Sequence, residues 1–137
     1  MFKKFALATV LYSIVTMILG YSWYLVFFKD LYAALGIYNR EPPIIPLGFA
    51  SMVIQGLLLA YLYPRYYKGG SPAIQGIKFG LVMGLFLYSV STIANAAKIQ
   101  VSPMSTWFAM NGLFHLIQFV LVGAGIGLIF GDCKKGI

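Results

Sequence analysis

Four apolar stretches, each close to the length of a membrane-crossing helix, constrain this chain more than any other feature. A hydrocarbon layer about 30 Å thick takes roughly 20 helical residues to cross. Inside such a layer only helices and closed barrels satisfy every backbone N–H and C=O. The stretches lie at about 5–28, 44–63, 77–97 and 105–130. The second is entered through Pro42, Pro43 and Pro46 and closed by Pro64. The third follows the breaker Gly69-Gly70-Ser71-Pro72, and the fourth follows Pro103. The fold expected is all-α: one transmembrane domain over residues 1–137, built as an integral membrane four-helix bundle.

Composition supports that expectation. The chain is 61% hydrophobic and 9% charged, against about 25% charged for a soluble domain. A soluble chain of 137 residues could not hide so much apolar surface. The first stretch follows Lys3 and Lys4 as a signal peptide would, but it is too long for an ordinary h-region. No A-x-A cleavage site follows it either, so a retained helix is expected.

The net charge of +7 comes from basic residues scattered between apolar runs, with no dense patch and no nucleic-acid-binding motif. With the N-terminus inside, the inner segments hold Lys3, Lys4, Arg65, Lys68, Lys78, Lys134 and Lys135. The outer ones hold Lys29, Arg40 and Lys98. The excess predicts both termini in the cytoplasm of a cell membrane, a bacterial inner membrane being the expected one. Aromatic rings mark the two edges: Tyr61, Tyr63, Tyr66 and Tyr67 at one, Trp23, Tyr24 and Trp107 at the other. Between 29 and 41, Asp30 is placed to cap a short interfacial helix that Gly36 would end. Phe28, Leu31, Tyr32 and Leu35 would share one face of it, lying on the outer leaflet or closing an outer opening as a lid.

Small and polar residues show which helix faces meet protein, since leucine gains nothing by leaving lipid. Gly76, Gly80, Gly84, Tyr88, Ser91, Asn95 and Lys98 fall on one stripe of the third span, with Lys78 opposite as a snorkelling anchor. On the fourth span Asn111, His115 and Gln118 form one face, with Trp107 a turn before. Gly123, Gly127 and Gly131 form another, able to pack on a neighbour in the chain, on a second copy, or on a larger membrane complex. The second span offers Gly48, Ser51 and Gln55, and the first offers Ser13, Thr16, Gly20, Trp23 and Tyr24. At about 1.5 Å per residue, Gly20, Gln55, Tyr88 and His115 all lie roughly 12–17 Å from the outer ends of their spans.

This shared depth predicts a polar layer in the outer half of the bundle. One reading is mutual hydrogen bonding that holds the helices in register. The other is a cavity binding or passing a small, partly lipophilic ligand, lined by His115, Asn111, Gln118, Gln55, Tyr88, Ser91, Asn95, Trp23 and Tyr24. His115 can carry a proton near neutral pH or ligate a metal or porphyrin. The chain has one histidine, so bis-histidine ligation would need a second copy. No metal site and no particular cofactor can be assigned from the sequence. Cys133 is the single cysteine and has no partner for a disulfide or redox motif.

No H-E-x-x-H, G-x-S-x-G, P-loop or C-x-x-C occurs. Asp30, Glu41 and Asp132 lie outside the spans, which leaves paired-carboxylate chemistry without a home. An intramembrane enzyme would need a nucleophile or base next to His115, and Tyr88 and Ser91 are the nearby candidates. A non-catalytic binding or transport protein is therefore the first expectation, and an accessory or scaffold subunit the second.

Two passages carry a resemblance. Leu19-Gly20-Tyr21-Ser22-Trp23-Tyr24 closes the first span, with Leu35-Gly36 further on. Asn111-Gly112-Leu113-Phe114-His115-Leu116 runs into Gly123-Ala124-Gly125-Ile126-Gly127. With the four-span layout, these resemble a widespread bacterial family of small membrane proteins catalogued as a domain of unknown function, family 1761. The resemblance implies four helices, with the Gly20–Tyr24 region paired with Asn111 and His115; it implies no reaction. The tryptophan-rich sensory translocators are less similar, with five spans and many tryptophans against four and two here.

Overall fold

A computed structural model of the chain describes residues 2–35 and 44–131. Gly36, Arg40, Glu41, Pro42, Pro43, Asp132, Cys133, Lys134 and Lys135 lie outside the described residues, and with them the expected end of the short helix and part of the charge count. Among the described residues the chain is all-helical, with no strand. Four helices are long and apolar enough to cross a membrane: Phe2–Phe27, Ile45–Tyr66, Pro72–Lys98 and Met104–Phe130. They match the four expected stretches, shifted by a few residues at their ends.

The first comprises α1 (Phe2–Gly20) and a π-helical segment, Tyr21–Phe27. The chain kinks at Phe28 into α2 (Lys29–Ala34). Asp30 does not cap α2. Phe28 occupies that position without a side-chain bond, and Asp30 sits in the first turn, where its charge faces the free amide ends. α3 (Ile45–Tyr66) has Pro46 in its opening turn and runs on through Pro64. The expected stop at residue 63 comes three residues late, because a proline in the last turn forfeits a single bond and the helix ends soon after. Gly69 and Gly70, at φ of 122° and 98°, make the turn into the next helix, a conformation that side chains with a Cβ resist.

The third long helix starts at Pro72, earlier than expected, since proline suits a first helical turn. It comprises α4 (Pro72–Tyr88), a π-helical segment Ser89–Ile93, and α5 (Ala94–Lys98). α6 (Met104–Phe130) closes the chain and ends at Gly131, where φ is 57°.

The packing runs in the order α3, α1, α6, α4, with each neighbouring pair antiparallel. α6 lies along α4 and also along α1; α1 lies along α3; α3 touches α4 and α6 lightly. Glycine sets the closest approach. A Cβ on Gly76 would strike the Gly123 carbonyl, one on Gly80 the Phe119 carbonyl, and one on Gly127 the Pro72 carbonyl. The small-xxx-small stripes of the third and fourth spans therefore pack on each other. Gly123 and Gly127, open in the sequence to an outside partner, are taken by α4 of the same chain. Gly131 is not part of that contact and has nothing within 4 Å of its would-be Cβ. On the other side of α6, Gly125 admits Leu11 of α1, and Gly56 of α3 sits on the Thr9 backbone.

Two apolar cores result. One gathers Ala8, Tyr12, Tyr63, Phe79, Phe119, Ile126 and Phe130 near the end where α1 begins and α6 stops. There Lys4 Nζ donates to the Phe130 carbonyl at 3.1 Å, supplying a cation and a donor to a helix C-terminus. The other, at the opposite end, gathers Tyr32, Leu35, Val101 and Trp107 with Trp23, Tyr24, Phe28 and Leu31 against them. The four residues expected to share a face of α2 do share one, and it turns inward onto protein. Outside these cores the surface stays apolar: Leu58, Leu85 and Leu128 are 55%, 67% and 66% exposed, a pattern that suits a lipid solvent.

Candidate functional site

The polar stretch of α6 from Trp107 to Gln118 is bracketed by the two π-helical segments. The first shows its wider turn in the Phe28 N–H to Trp23 carbonyl bond at 3.1 Å, the second in the Ala94 N–H bonded to the Ser89 carbonyl. Such turns interrupt a helix at a cost in backbone bonding and recur at functional sites. Here the first presents Trp23 and Tyr24 to α6, and the second presents Ser91 and Thr92.

At the α2 end, Trp23 Nε1 donates to the Tyr32 hydroxyl at 3.0 Å, and Tyr32 donates on to Asn111 Oδ1 at 2.8 Å. The Tyr24 hydroxyl donates to the same oxygen at 3.2 Å. The rings pack at a tilt around the amide, with Tyr24 and Tyr32 centroids 4.7 Å apart and Tyr24 and Phe114 5.1 Å apart. Asn111 is 1% exposed, and its Nδ2 has no hydrogen-bond partner among the described residues. Turning the amide over would exchange the free donor for a free acceptor.

His115 makes a different set of contacts. Its Nδ1 lies 2.8 Å from the Asn111 carbonyl oxygen. A carbonyl only accepts, so Nδ1 carries the proton and Nε2 of the neutral ring holds a lone pair. The Ser91 hydroxyl stands 3.3 Å from Nε2, placed to donate to it. The π-helical backbone around Ser91 is held from both sides: Asn95 Nδ2 donates to the Ser91 carbonyl at 2.7 Å and Trp107 Nε1 to the Thr92 carbonyl at 3.0 Å. The Tyr88 hydroxyl donates to the Phe108 carbonyl at 3.0 Å. A groove of about 240 Å³ runs between α4 and α6 here. Gly84 and Tyr88 form one wall, Gly112 and His115 the other, with Phe119, Leu81, Leu85 and Leu116 completing it. The lining is mostly apolar and the groove opens outward.

Gln118 and Gln55 belong to a third set. Gln118 Nε2 donates to Thr16 Oγ1 at 2.9 Å and reaches the Tyr12 hydroxyl at 3.5 Å. Tyr12 donates to Gln55 Oε1, and Gln55 Nε2 donates to Ser51 Oγ at 2.7 Å. The expected layer thus divides into three hydrogen-bonded groups. At about 100° per residue, positions 115 and 118 differ by about 60° around α6. α4 and α1 flank α6 on either side, so the two side chains fall to different neighbours. Asn111, between them in angle, meets α2.

Two participants escaped the sequence reading of the site. Tyr12 looked like one more aromatic in an apolar run, although Thr9, Ser13 and Thr16 around it signalled a polar helix face. Tyr32 was placed on an apolar face, and its hydroxyl is what joins α2 to Asn111. Thr92, expected beside Ser91 in the shallower part of the polar layer, is buried in the second π-helical segment. Among the described residues, no group of three or more His, Cys, Asp or Glu side chains comes together to hold a metal ion.

No family model, no curated protein and no solved structure matches the chain.

Proposed function

We propose that the chain is a multi-pass membrane protein that takes a small, partly lipophilic ligand from the bilayer into the groove between α4 and α6, with His115 as the polar contact. The observation that carries this reading is the imidazole of His115 on the wall of an otherwise apolar, outward-opening groove. Sites for small ligands combine apolar walls with a few fixed polar groups, and an ionisable residue at membrane depth marks function more often than packing. Of the described basic residues, Lys3, Lys4, Arg65, Lys68 and Lys78 belong to one end of the bundle and Lys29 and Lys98 to the other, which supports an orientation with the termini in the cytoplasm. Kinship with family 1761 rests on the two quoted passages and adds no ligand.

Native mass spectrometry of the protein purified in mild detergent, with absorbance spectra, tests this reading. A bound small molecule is expected with the wild type and not with His115→Ala. Equal retention by both, or none by either together with an unchanged cellular phenotype, overturns it.

A second reading, an accessory subunit of a larger membrane complex, draws on α3. Residues 44–51 are all exposed, and a Cβ on Gly48 would meet nothing within 4 Å. Crosslinking in native membranes from this segment should capture a partner protein; recovery of only the free chain counts against it.

A further inference from the structure

Ser91 Oγ, His115 Nε2, His115 Nδ1 and the Asn111 carbonyl oxygen lie in series, at 3.3 Å across the first contact and 2.8 Å across the last. This is the order of hydroxyl, base and orienting acceptor on which nucleophilic acyl transfer depends, with a backbone carbonyl where a carboxylate often stands. We propose that Ser91 and His115 form an acyl-transfer pair that acts on a lipid-borne ester whose acyl chain lies in the groove between α4 and α6. The inference rests on the ligand-binding reading above and names its substrate class.

Three observations support it. The Asn111 carbonyl fixes the tautomer, leaving the Nε2 lone pair toward Ser91. The backbone bearing Ser91 is clamped by Asn95 and Trp107 through the Ser91 and Thr92 carbonyls, so the hydroxyl projects from a fixed point. The groove is apolar, open outward and lined by His115, with Ser91 one turn beyond its wall residue Tyr88, so an acyl chain lying in it from the lipid side brings its ester end toward the pair.

In the first step Oγ bonds to the ester carbonyl carbon while its proton passes to Nε2. The bond from that carbon to the alcohol oxygen breaks, and Nε2 returns the proton to the leaving alcohol. In the second step water gives a proton to Nε2 and its oxygen bonds to the acyl carbon. The bond to Oγ breaks, Oγ recovers the proton, and a carboxylic acid leaves. Ester and water become acid and alcohol. A neutral carbonyl holds the correct tautomer but steadies the imidazolium less than a carboxylate does. Slow turnover follows, so covalent capture is the better readout.

The test uses the full chain in phosphatidylcholine vesicles, treated with a long-chain alkyl fluorophosphonate and read by intact and peptide mass. A single adduct on Ser91 is expected, absent in Ser91→Ala and unchanged in Ser89→Ala. In His115→Gln the labelling rate should drop about 100-fold, the lower range for a general base. If that variant fails to fold, acidifying the wild type serves the same purpose, because a protonated imidazole cannot accept the hydroxyl proton and labelling must slow. No adduct on Ser91, or a rate insensitive to both His115→Gln and acid, overturns the proposal. A diazirine-bearing phosphatidylcholine is crosslinked in parallel. Crosslinks at Leu81 or Leu116 without a Ser91 adduct leave ligand binding standing and remove acyl transfer; loss of both removes both.

Discussion

The Tyr32 hydroxyl donates to Asn111 Oδ1 at 2.8 Å, which joins the six-residue helix α2 to the middle of the polar stretch of α6. The same hydroxyl accepts from Trp23 Nε1. One oxygen therefore ties together the first long helix, the short helix after it and the last helix.

Tyr32→Phe keeps the ring and removes that oxygen. Trp23 Nε1 loses its acceptor, and Asn111 keeps the weaker bond from Tyr24. The expected loss is about 1–3 kcal/mol, the range for buried polar groups left unsatisfied. Thermal unfolding in detergent measures it. Tyr24→Phe, which removes a longer bond at 3.2 Å, should be milder, and an equal or larger effect would contradict the network.

Gly123→Ala and Gly76→Ala each drive a methyl into the facing backbone, with no flexible side chain to yield. α4 and α6 must separate, and each variant should lose about 1–3 kcal/mol. At Gly48 the methyl meets open space, so Gly48→Ala should be neutral or gain up to about 1 kcal/mol from helix propensity. Unfolding midpoints of the three variants side by side decide the matter; similar behaviour at positions 48 and 123 would contradict the packing.

Tyr12 and Gln55 are bonded directly across α1 and α3. In a double-mutant cycle of Tyr12→Phe and Gln55→Leu, the pair should show a coupling energy of about 0.5–3 kcal/mol. Each single change strands the other partner, while the double change strands neither. Additive losses would mean the bond contributes nothing.

Alkaline pH offers a further check at Tyr32, which lies outside the four long helices. Burial pushes its hydroxyl above the ordinary phenol value, and bonds with Trp23 and Tyr24 pull it partway back. The folded chain thus holds this proton to higher pH than the unfolded chain does. The contribution is complete below the unfolded value of about 10 and is lost as pH rises through the folded one. Stability should fall above pH about 10, and less steeply in Tyr32→Phe. Unfolding midpoints from pH about 8 to about 11 give the two slopes; identical slopes would rule out a Tyr32 contribution.

Much of the bundle was legible because its signals are local. Length and apolarity marked four helices, and the Gly76, Gly80, Gly84 spacing marked the face that α4 turns to α6. Phe28, Leu31, Tyr32 and Leu35 were legible as one face of α2. What sequence periodicity could not supply was the destination of each face. Gly123 and Gly127 could have served an outside chain, and their use within this one depends on where α4 comes to rest. The site was legible as a set of residues and not as an arrangement. Asn111, His115 and Gln118 look like one stripe, yet a rotation of about 60° sends 115 and 118 to different helices.

The sequence by itself determined that the chain is helical and where its long helices run. Those outcomes follow from backbone bonding within a segment and from local breakers such as Pro46, Pro72 and Gly69. Only the tertiary structure decided that the helices pack in the order α3, α1, α6, α4, that Tyr32 reaches Asn111, and that Ser91 stands beside His115. Those contacts join residues up to 79 positions apart, and the two π-helical segments aim Trp23, Tyr24, Ser91 and Thr92 at the neighbouring helix. An i→i+5 turn is less favourable than an α-helical one in isolation, and here it persists with the hydrogen bonds its side chains make to the neighbouring helix.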